Sequence, residues 1–275
     1  MLAIIFFQAK LSIHLTIMDS CGKKVSMNPS KMDRYRTPYN IEDKVERFHW
    51  WFVVRRKLLH SVLSSMKFIQ NSIALEVGCG TGANLRALES AGVLGIGLDQ
   101  SVYALNLIKK KENHPLLVGD LINLPIKANS LGLIIAMDVF EHLEHDEKGI
   151  SECYRVLNNG GKLFLTVPAF KCLWGIQDEV TGHKRRYTMK EIKNRLSQKG
   201  FTILRASFFN FLLFFPILIG RQVIRFLDLR IESENKLNHP LANIIFKAIF
   251  SLEPYLLRYI SFPFGVSIFC VAKKE

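Results

Sequence analysis

Leu75-Glu76-Val77-Gly78-Cys79-Gly80-Thr81-Gly82 decides the fold of this 275-residue chain. The mainly apolar stretch from Ser72 to Val77 reads as a strand, the three alternate glycines as a tight turn, and Ala83 to Leu88 as the start of a helix. Glycine has no Cβ, so its backbone enters left-handed conformations and lets a ligand come close. A helix start brings unpaired N–H groups to the same place. Strand, glycine turn and helix in this order point to a nucleotide-like cofactor.

Outward from the turn, apolar runs and helical periodicities alternate. Strands are expected at Ser72–Val77, Val93–Leu98, Pro115–Val118, Leu131–Met137 and Lys162–Val167. Helices are expected between them at Asn84–Ser90, Ser101–Lys111 (with Ser101 as N-cap) and Lys148–Leu157. This alternation predicts an α/β fold, a parallel sheet with helices on both faces. Upstream, Ile41 to Met66 reads as one helix; downstream, Met189–Gln198 is a helix, and Phe201–Ser207 and Val266–Ala272 are strands. The stretch between those last two strands is too long for a loop and reads as an insertion with its own structure.

The spacing around the glycines is informative. Dinucleotide turns read G-x-G-x-x-G, whereas this one reads E-x-G-x-G-x-G. The second strand ends at Asp99, about twenty residues on, where a carboxylate meets ribose hydroxyls. The third ends in Gly119-Asp120-Leu121. Acids at three successive strand ends lie where open α/β sheets bind ligands. The glycine motif resembles motif I of the class I S-adenosylmethionine (SAM) methyltransferases. That resemblance implies a Rossmann-like, seven-stranded, mostly parallel sheet with an antiparallel last strand, here carrying a helical insertion. It implies that Gly78, Cys79, Gly80 and Gly82 line the methionine moiety and that Glu76 orients its ammonium group. Asp99 with its neighbour Gln100 would serve the ribose, and Asp120 and Leu121 the adenine; Asp138 completes the cofactor set.

The fourth strand runs into Asp138-Val139-Phe140-Glu141-His142. No D/N-P-P-Y/F/W motif follows, which speaks against base-directed methylation of nucleic acid. An imidazole titrates near neutrality, so His142 suits a general base and equally a structural role. The run also resembles that of ubiquinone-pathway O-methyltransferases, where it can bind a divalent metal. A structural role, with Asp138 and Glu141 capping the next helix, is the preferred reading, and no metal is expected. Two further segments, Glu46-Arg47-Phe48-His49-Trp50-Trp51-Phe52 with Arg55-Arg56, and Gly182-His183-Lys184-Arg185-Arg186-Tyr187, resemble methyltransferases encoded with bacterial cell-surface glycan and lipid-linked saccharide enzymes. By that resemblance His49, Trp50, Arg55, Arg185, Arg186 and Tyr187 contact the acceptor and His183 is a second candidate base. The alternative is that the tryptophans are helix core and that the arginines are solvated or pair with Asp178.

The formal charge of +13 would attract nucleic acid, anionic lipid or phosphorylated substrates. Five scattered cysteines, never in a C-x-x-C pair, read as reduced thiols of a cytoplasmic protein without a zinc site. Residues 1–30 are expected to be disordered or to precede the true start; residues 31–70 form a helical lid, 71–207 the SAM-binding core, 208–262 the insertion and 263–275 the last strand. The uncharged run Phe208 to Gly220 is too short to span a bilayer. With Arg221, Arg225 and Arg230 after it, and the apolar helix Leu241 to Ile260 beyond, it suits either a buried face or peripheral contact with the inner surface of a membrane. A Pro254 break is expected in that helix. The function expected is methyl transfer from SAM to a hydroxyl of a small or lipid-linked acceptor. An RNA methyltransferase, an NAD-dependent oxidoreductase and a non-catalytic membrane-associated SAM fold are the alternatives.

Overall fold

A computed structural model describes residues 36–65, 73–227 and 239–275. The expectations for residues 1–30, and for Arg230, Met66 and Ser72, lie outside the described residues.

Strands β1 (Ile73–Val77), β2 (Leu94–Asp99), β3 (Leu116–Val118), β4 (Leu131–Met137), β5 (Leu157–Pro168), β6 (Phe201–Phe209) and β7 (Ser267–Lys274) make one sheet in the order β3-β2-β1-β4-β5-β7-β6. The pairs β1–β2, β1–β4, β2–β3 and β4–β5 are parallel, and β7 runs antiparallel to both β5 and β6. The central strands are buried along nearly their whole length, because helices cover both faces. That is why β4 carries no polar–apolar alternation and reads as the unbroken run Leu-Gly-Leu-Ile-Ile-Ala-Met. The chain runs outward from β1 through β2 to β3 and returns to β4 on the other side of β1, which opens a crevice at their carboxyl ends.

The N-terminal segment is two helices rather than one: α1 (Arg36–Val45) and α2 (Trp50–Ser65). The break has a tertiary cause. Asn243 accepts from the Trp50 N–H at 2.7 Å and donates to the Phe48 carbonyl at 3.1 Å, so a side chain from the far end of the molecule caps α2.

Around the sheet lie α3 (Ala83–Ser90), α4 (Val102–Lys109), α5 (Asp146–Val156), α6 (Ile176–Thr181) and α7 (Met189–Gln198). Ser101 caps α4 through the Ala104 N–H at 3.2 Å, and Thr188 and Glu191 form a capping box on α7. The stretch between β6 and β7 holds α8 (Phe214–Phe226), α9 (Pro240–Phe250) and α10 (Glu253–Leu256). Pro254 stands in the first turn of α10, where its missing N–H costs nothing, and the apolar helix breaks there. Trp51, Phe209 and Phe250 stack mutually, joining α2, β6 and α9 in one aromatic core.

Candidate functional site

At the end of β1 the turn holds Gly78, Gly80 and Gly82 at φ of 65°, 52° and 89°, all left-handed. A Cβ on Gly78 would stand 2.7 Å from Val139 Cγ2, so the turn presses directly against the end of β4. No side chain caps α3, which leaves its first N–H groups turned to the crevice.

Asp99 organises this turn. Its Oδ2 accepts from the Gly80 N–H at 2.9 Å; its Oδ1 accepts from the Ser101 N–H at 2.8 Å and from the Tyr39 hydroxyl at 3.2 Å. Burial raises the Asp99 carboxyl above its ordinary range, and these donors oppose the rise. Glu76 is also buried; Asn84 Nδ2 donates to its Oε1 at 2.7 Å while Oε2 has no partner. Burial pushes its carboxyl up to about 8. Cys79 is buried beneath the turn and Gln100 is exposed beside it. Asp120 is half-buried and takes the Ile122 N–H at 3.1 Å, whereas Leu121 packs into the core against Gly149.

Sequence reasoning placed a helical lid at residues 31–70 but named none of the α1 side chains that meet this turn. Tyr39 reaches Asp99, and Glu42 stands in van der Waals range of the position a Gly80 Cβ would take. Glu46 is buried, accepting from Thr81 Oγ1 and pairing with Arg86 at 2.7 Å. Burial lifts Glu42 to about 7. Three acids close together in sequence, Glu42, Asp43 and Glu46, were the available signal.

The second half of the site is the corner after β4. Asp138 has a left-handed φ of 56°, unusual for a residue with a side chain. Arg55 donates to its Oδ2 at 2.7 Å and Thr166 to its Oδ1 at 3.1 Å. Asp138 and Glu141 therefore do not cap the next helix: α5 starts at Asp146 with no side-chain cap. Glu141 is fully buried, and neither of its carboxylate oxygens has a hydrogen-bond partner. The rings of His142 and His183 meet edge-on at 4.7 Å. Burial, helped by His183, lowers His142 to about 4, so its ring is neutral near pH 7. His183 Nδ1 is 2.7 Å from Asp178 Oδ1. Arg186 grips the same carboxylate with two bonds of 2.9 Å. Burial alone would raise the Asp178 carboxyl, but His183 and Arg186 hold it well below the usual carboxylate range.

The remaining expected acceptor contacts have other partners. Arg186 is buried on Asp178 and the Ala169 carbonyl, and with Arg185 and Tyr187 it lines a surface cavity. Arg185 donates to Asp146 at 3.2 Å, and the buried Tyr187 hydroxyl donates to the same carboxylate at 2.7 Å. His49 is buried, accepting from the Trp51 N–H at 3.3 Å, and Trp50 packs edge-on against Phe246 and Phe250. Trp50 therefore joins α2 to α9. Of the N-terminal trio only Arg55 reaches the site.

Residues 75–165 match the family described as a methyltransferase domain. An uncharacterized protein of Methanocaldococcus jannaschii is 28% identical over 167 residues, which cover 60% of each chain. The malonyl-[acyl-carrier protein] O-methyltransferase of Methylococcus capsulatus is 27% identical over 166 residues, 55% of this chain and 60% of that one. The match thus spans less than two thirds of the length of either relative. Among solved structures, Haemonchus contortus phosphoethanolamine N-methyltransferase 2 in complex with SAM superposes with a TM-score of 0.57 at 19% identity, covering 92% of this chain and 61% of that one. From Leu75 to Leu165 the chain is thus similar to the methyltransferase domain family, and it shares its fold with a methyltransferase solved in complex with SAM.

Proposed function

We propose that the protein transfers a methyl group from SAM to an oxygen acceptor held against the corner formed by Asp138, Glu141, His142 and His183. The observation that carries this reading is the contact between the two halves of the site. Val139 fills the space beside Gly78, so the glycine turn and the His142–His183 corner share one wall.

SAM brings a methyl group already activated by its sulfonium. The chain's own tasks are to hold the cofactor, align the acceptor and dispose of its proton. Gly78, Gly80 and Gly82 provide the close backbone approach, Glu76 the counter-charge for the ammonium group, and Asp99 the acceptors for the ribose diol. Asp120 is placed to receive the adenine amino group. Arg55 fixes Asp138 between the two halves. Orientation of this kind supplies most of the rate in a displacement reaction. The acceptor's proton is given up at the His142–His183 corner, where Asp178 sets the direction of the His183 ring. His183→Ala is expected to leave SAM affinity unchanged and to reduce turnover at least a hundredfold. Equal turnover by wild type and variant, with any acceptor that supports activity, would sink the assignment.

A lipid-linked acceptor, as in cell-surface glycan assembly, is supported by the outer faces of α8 and α9. No helix among the described residues is long and apolar enough to cross a membrane. Yet Ile219, Phe226, Ile244 and Tyr259 are 61%, 88%, 63% and 74% exposed, with Arg225, Lys247 and Arg258 nearby in sequence. Apolar side chains flanked by cations fit the interface of an anionic bilayer. Flotation with anionic vesicles tests this: binding should be lost in Ile219→Glu/Phe226→Glu and weakened by salt. A wild-type protein that stays with the unbound fraction would end the proposal.

A further inference from the structure

Glu42 stands where the parts of the cofactor would meet. The sulfonium of SAM joins the ribose, the methionine chain and the transferable methyl group. In the reading above, these go to Asp99, to the glycine turn with Glu76, and to the corner that begins at Asp138. Glu42 is close to each of these places. Its Oε1 and Oε2 lie 3.6 and 4.0 Å from the position a Gly80 Cβ would take, and the Gly80 N–H donates to Asp99. Tyr39, one turn earlier on α1, donates to Asp99 as well. Burial, followed by Glu46, Asp99 and Asp138, raises the Glu42 carboxyl to about 7 against the pull of Arg55. Burial, followed by Asp99 and Glu42, lifts Glu76 to about 8.

The charges around this crevice do not balance. Glu42, Glu76, Asp99 and Asp138 bring carboxyl groups from α1 and from the ends of β1, β2 and β4. Arg55, the cation that favours ionised Glu42, is itself held by Asp138 at 2.7 Å. Glu46 is already paired with Arg86. Glu76 is 1% exposed and its Oε2 has no hydrogen-bond partner. Carboxyls gathered in this way hold protons until a cation arrives. The ammonium group of SAM supplies one cation beside Glu76. The second raised carboxyl, Glu42, lies on the other side of the glycine turn from Val139, over Gly80.

We propose that Glu42 recognises the sulfonium charge, so that the protein holds SAM in preference to its demethylated product, S-adenosylhomocysteine (SAH). The two ligands share adenine, ribose and amino-acid ends, so contacts at Asp120, Asp99 and Glu76 do not tell them apart. They differ by one methyl group and one positive charge. A carboxylate close to a sulfonium in a half-buried crevice is strongly attracted to it. Beside a neutral thioether the same carboxylate is an unpaired charge, and it takes up a proton from water. In methyl transfer the acceptor oxygen forms the new O–C bond, and the C–S bond breaks with its electron pair passing to sulfur. The charge that Glu42 held is gone, and the grip on the product loosens. The inference rests on the methyl-transfer reading and states how that site distinguishes cofactor from product.

The test is calorimetry on the full chain with SAM, SAH and sinefungin, an analogue that carries an ammonium group in place of the methylated sulfur. At about pH 8 the wild type should bind SAM and sinefungin at least about tenfold more tightly than SAH. Glu42→Gln keeps the shape and removes the charge. It should weaken SAM and sinefungin, leave SAH within about twofold, and so erase most of the preference. Glu42→Asp should retain part of it. In the wild type the preference should shrink between about pH 8 and 6, as Glu42 takes up its proton. Both ligands carry the same ammonium group, so the titration of Glu76 cancels in the ratio. If Glu42→Gln does not fold, this pH series on the wild type decides. Equal affinity of the wild type for SAM and SAH at about pH 8 overturns the inference and spares the methyl-transfer reading. A preference that Glu42→Gln leaves intact, or an equal loss of all three ligands, overturns it likewise. A folded wild type that binds neither SAM nor SAH overturns the methyl-transfer reading, and this inference with it.

Discussion

The Gly80 N–H donates to Asp99 Oδ2 at 2.9 Å, tying the glycine turn after β1 to the carboxylate at the end of β2. The residue proposed to hold the ribose thus also shapes the loop proposed to cradle the methionine moiety. Asp99→Ala removes acceptors from Gly80, Ser101 and Tyr39 together. A hydrogen bond to a charged group contributes about 1.5–3 kcal/mol. SAM affinity by calorimetry should therefore fall at least tenfold to a hundredfold in a chain that still folds. An unchanged dissociation constant would remove Asp99 from the site.

Tyr39 occupies Asp99 Oδ1 in this structure. A ribose hydroxyl and the tyrosine compete for that oxygen, so α1 must yield before the cofactor is fully engaged. Releasing one such bond is worth about 1 kcal/mol, about fivefold in affinity. Tyr39→Phe is expected to tighten SAM binding by up to that factor. A weakened complex would mean that Tyr39 is itself a cofactor contact.

Gly78 and Gly80 separate stability from binding. Both have left-handed φ, where a Cβ costs about 1–2 kcal/mol. The nearest atom to a Gly78 Cβ is Val139 Cγ2 at 2.7 Å, whereas the nearest to a Gly80 Cβ is Glu42 Oε1 at 3.6 Å. Gly78→Ala should melt several degrees lower than Gly80→Ala. Gly80→Ala should fold and lose SAM, because its methyl group enters the crevice. Denaturant melts and calorimetry on the two proteins decide the order.

Much of the sheet is legible in the sequence for a physical reason. Parallel strands covered on both faces must be unbroken apolar runs, and β4 is found at Leu131–Met137 as the pattern predicts. Local chemistry was equally readable at Ser101 and Pro254, which mark helix ends through their own backbone and side chain. The break before Trp50 was not, because its cap is Asn243, which no local window contains. The contact of α1 with the carboxylate at the end of β2 was hidden for the same reason: Tyr39 and Asp99 lie sixty positions apart. In the corner after β4 the residue types were visible, and the pairing of Arg186 with Asp178 was one of the readings left open; the contact of His183 with the same carboxylate was not foreseen. Asp178 orders both His183 and Arg186, and Arg186 still lines a surface cavity with Arg185 and Tyr187.

Glu76 links cofactor binding to pH. Burial raises its carboxyl to about 8, so the empty protein holds it largely protonated at neutrality. The ammonium group of SAM favours the ionised form, and binding must expel that proton. Between pH 5.5 and 7 an α-amino group, with a pKa of about 7.7–8.0, stays protonated, so the slope reports the protein. SAM affinity should rise with pH across this window by up to tenfold per unit, with proton release visible as a buffer-dependent heat. Glu76→Gln should bind more weakly and flatten the slope. A pH-independent affinity in the wild type would show that Glu76 does not meet the ammonium group.

His49 carries a different pH signature, one of stability. Burial lowers its ring from an ordinary value of 6.5 to about 4. The unfolded chain therefore takes up a proton as pH falls through 6.5, while the folded chain refuses it until about 4. Its contribution is present in full above pH 6.5 and is lost progressively down to about 4. At about 1.4 kcal/mol per pKa unit the difference is of order 3 kcal/mol. His49→Asn keeps an acceptor for the Trp51 N–H without a titrating ring. Urea melts of both proteins between pH 7 and 4.5 should show the wild type losing stability faster. Parallel curves would mean that the ring is solvated, and the packing of His49 against Trp50 and Phe52 would have to be redrawn.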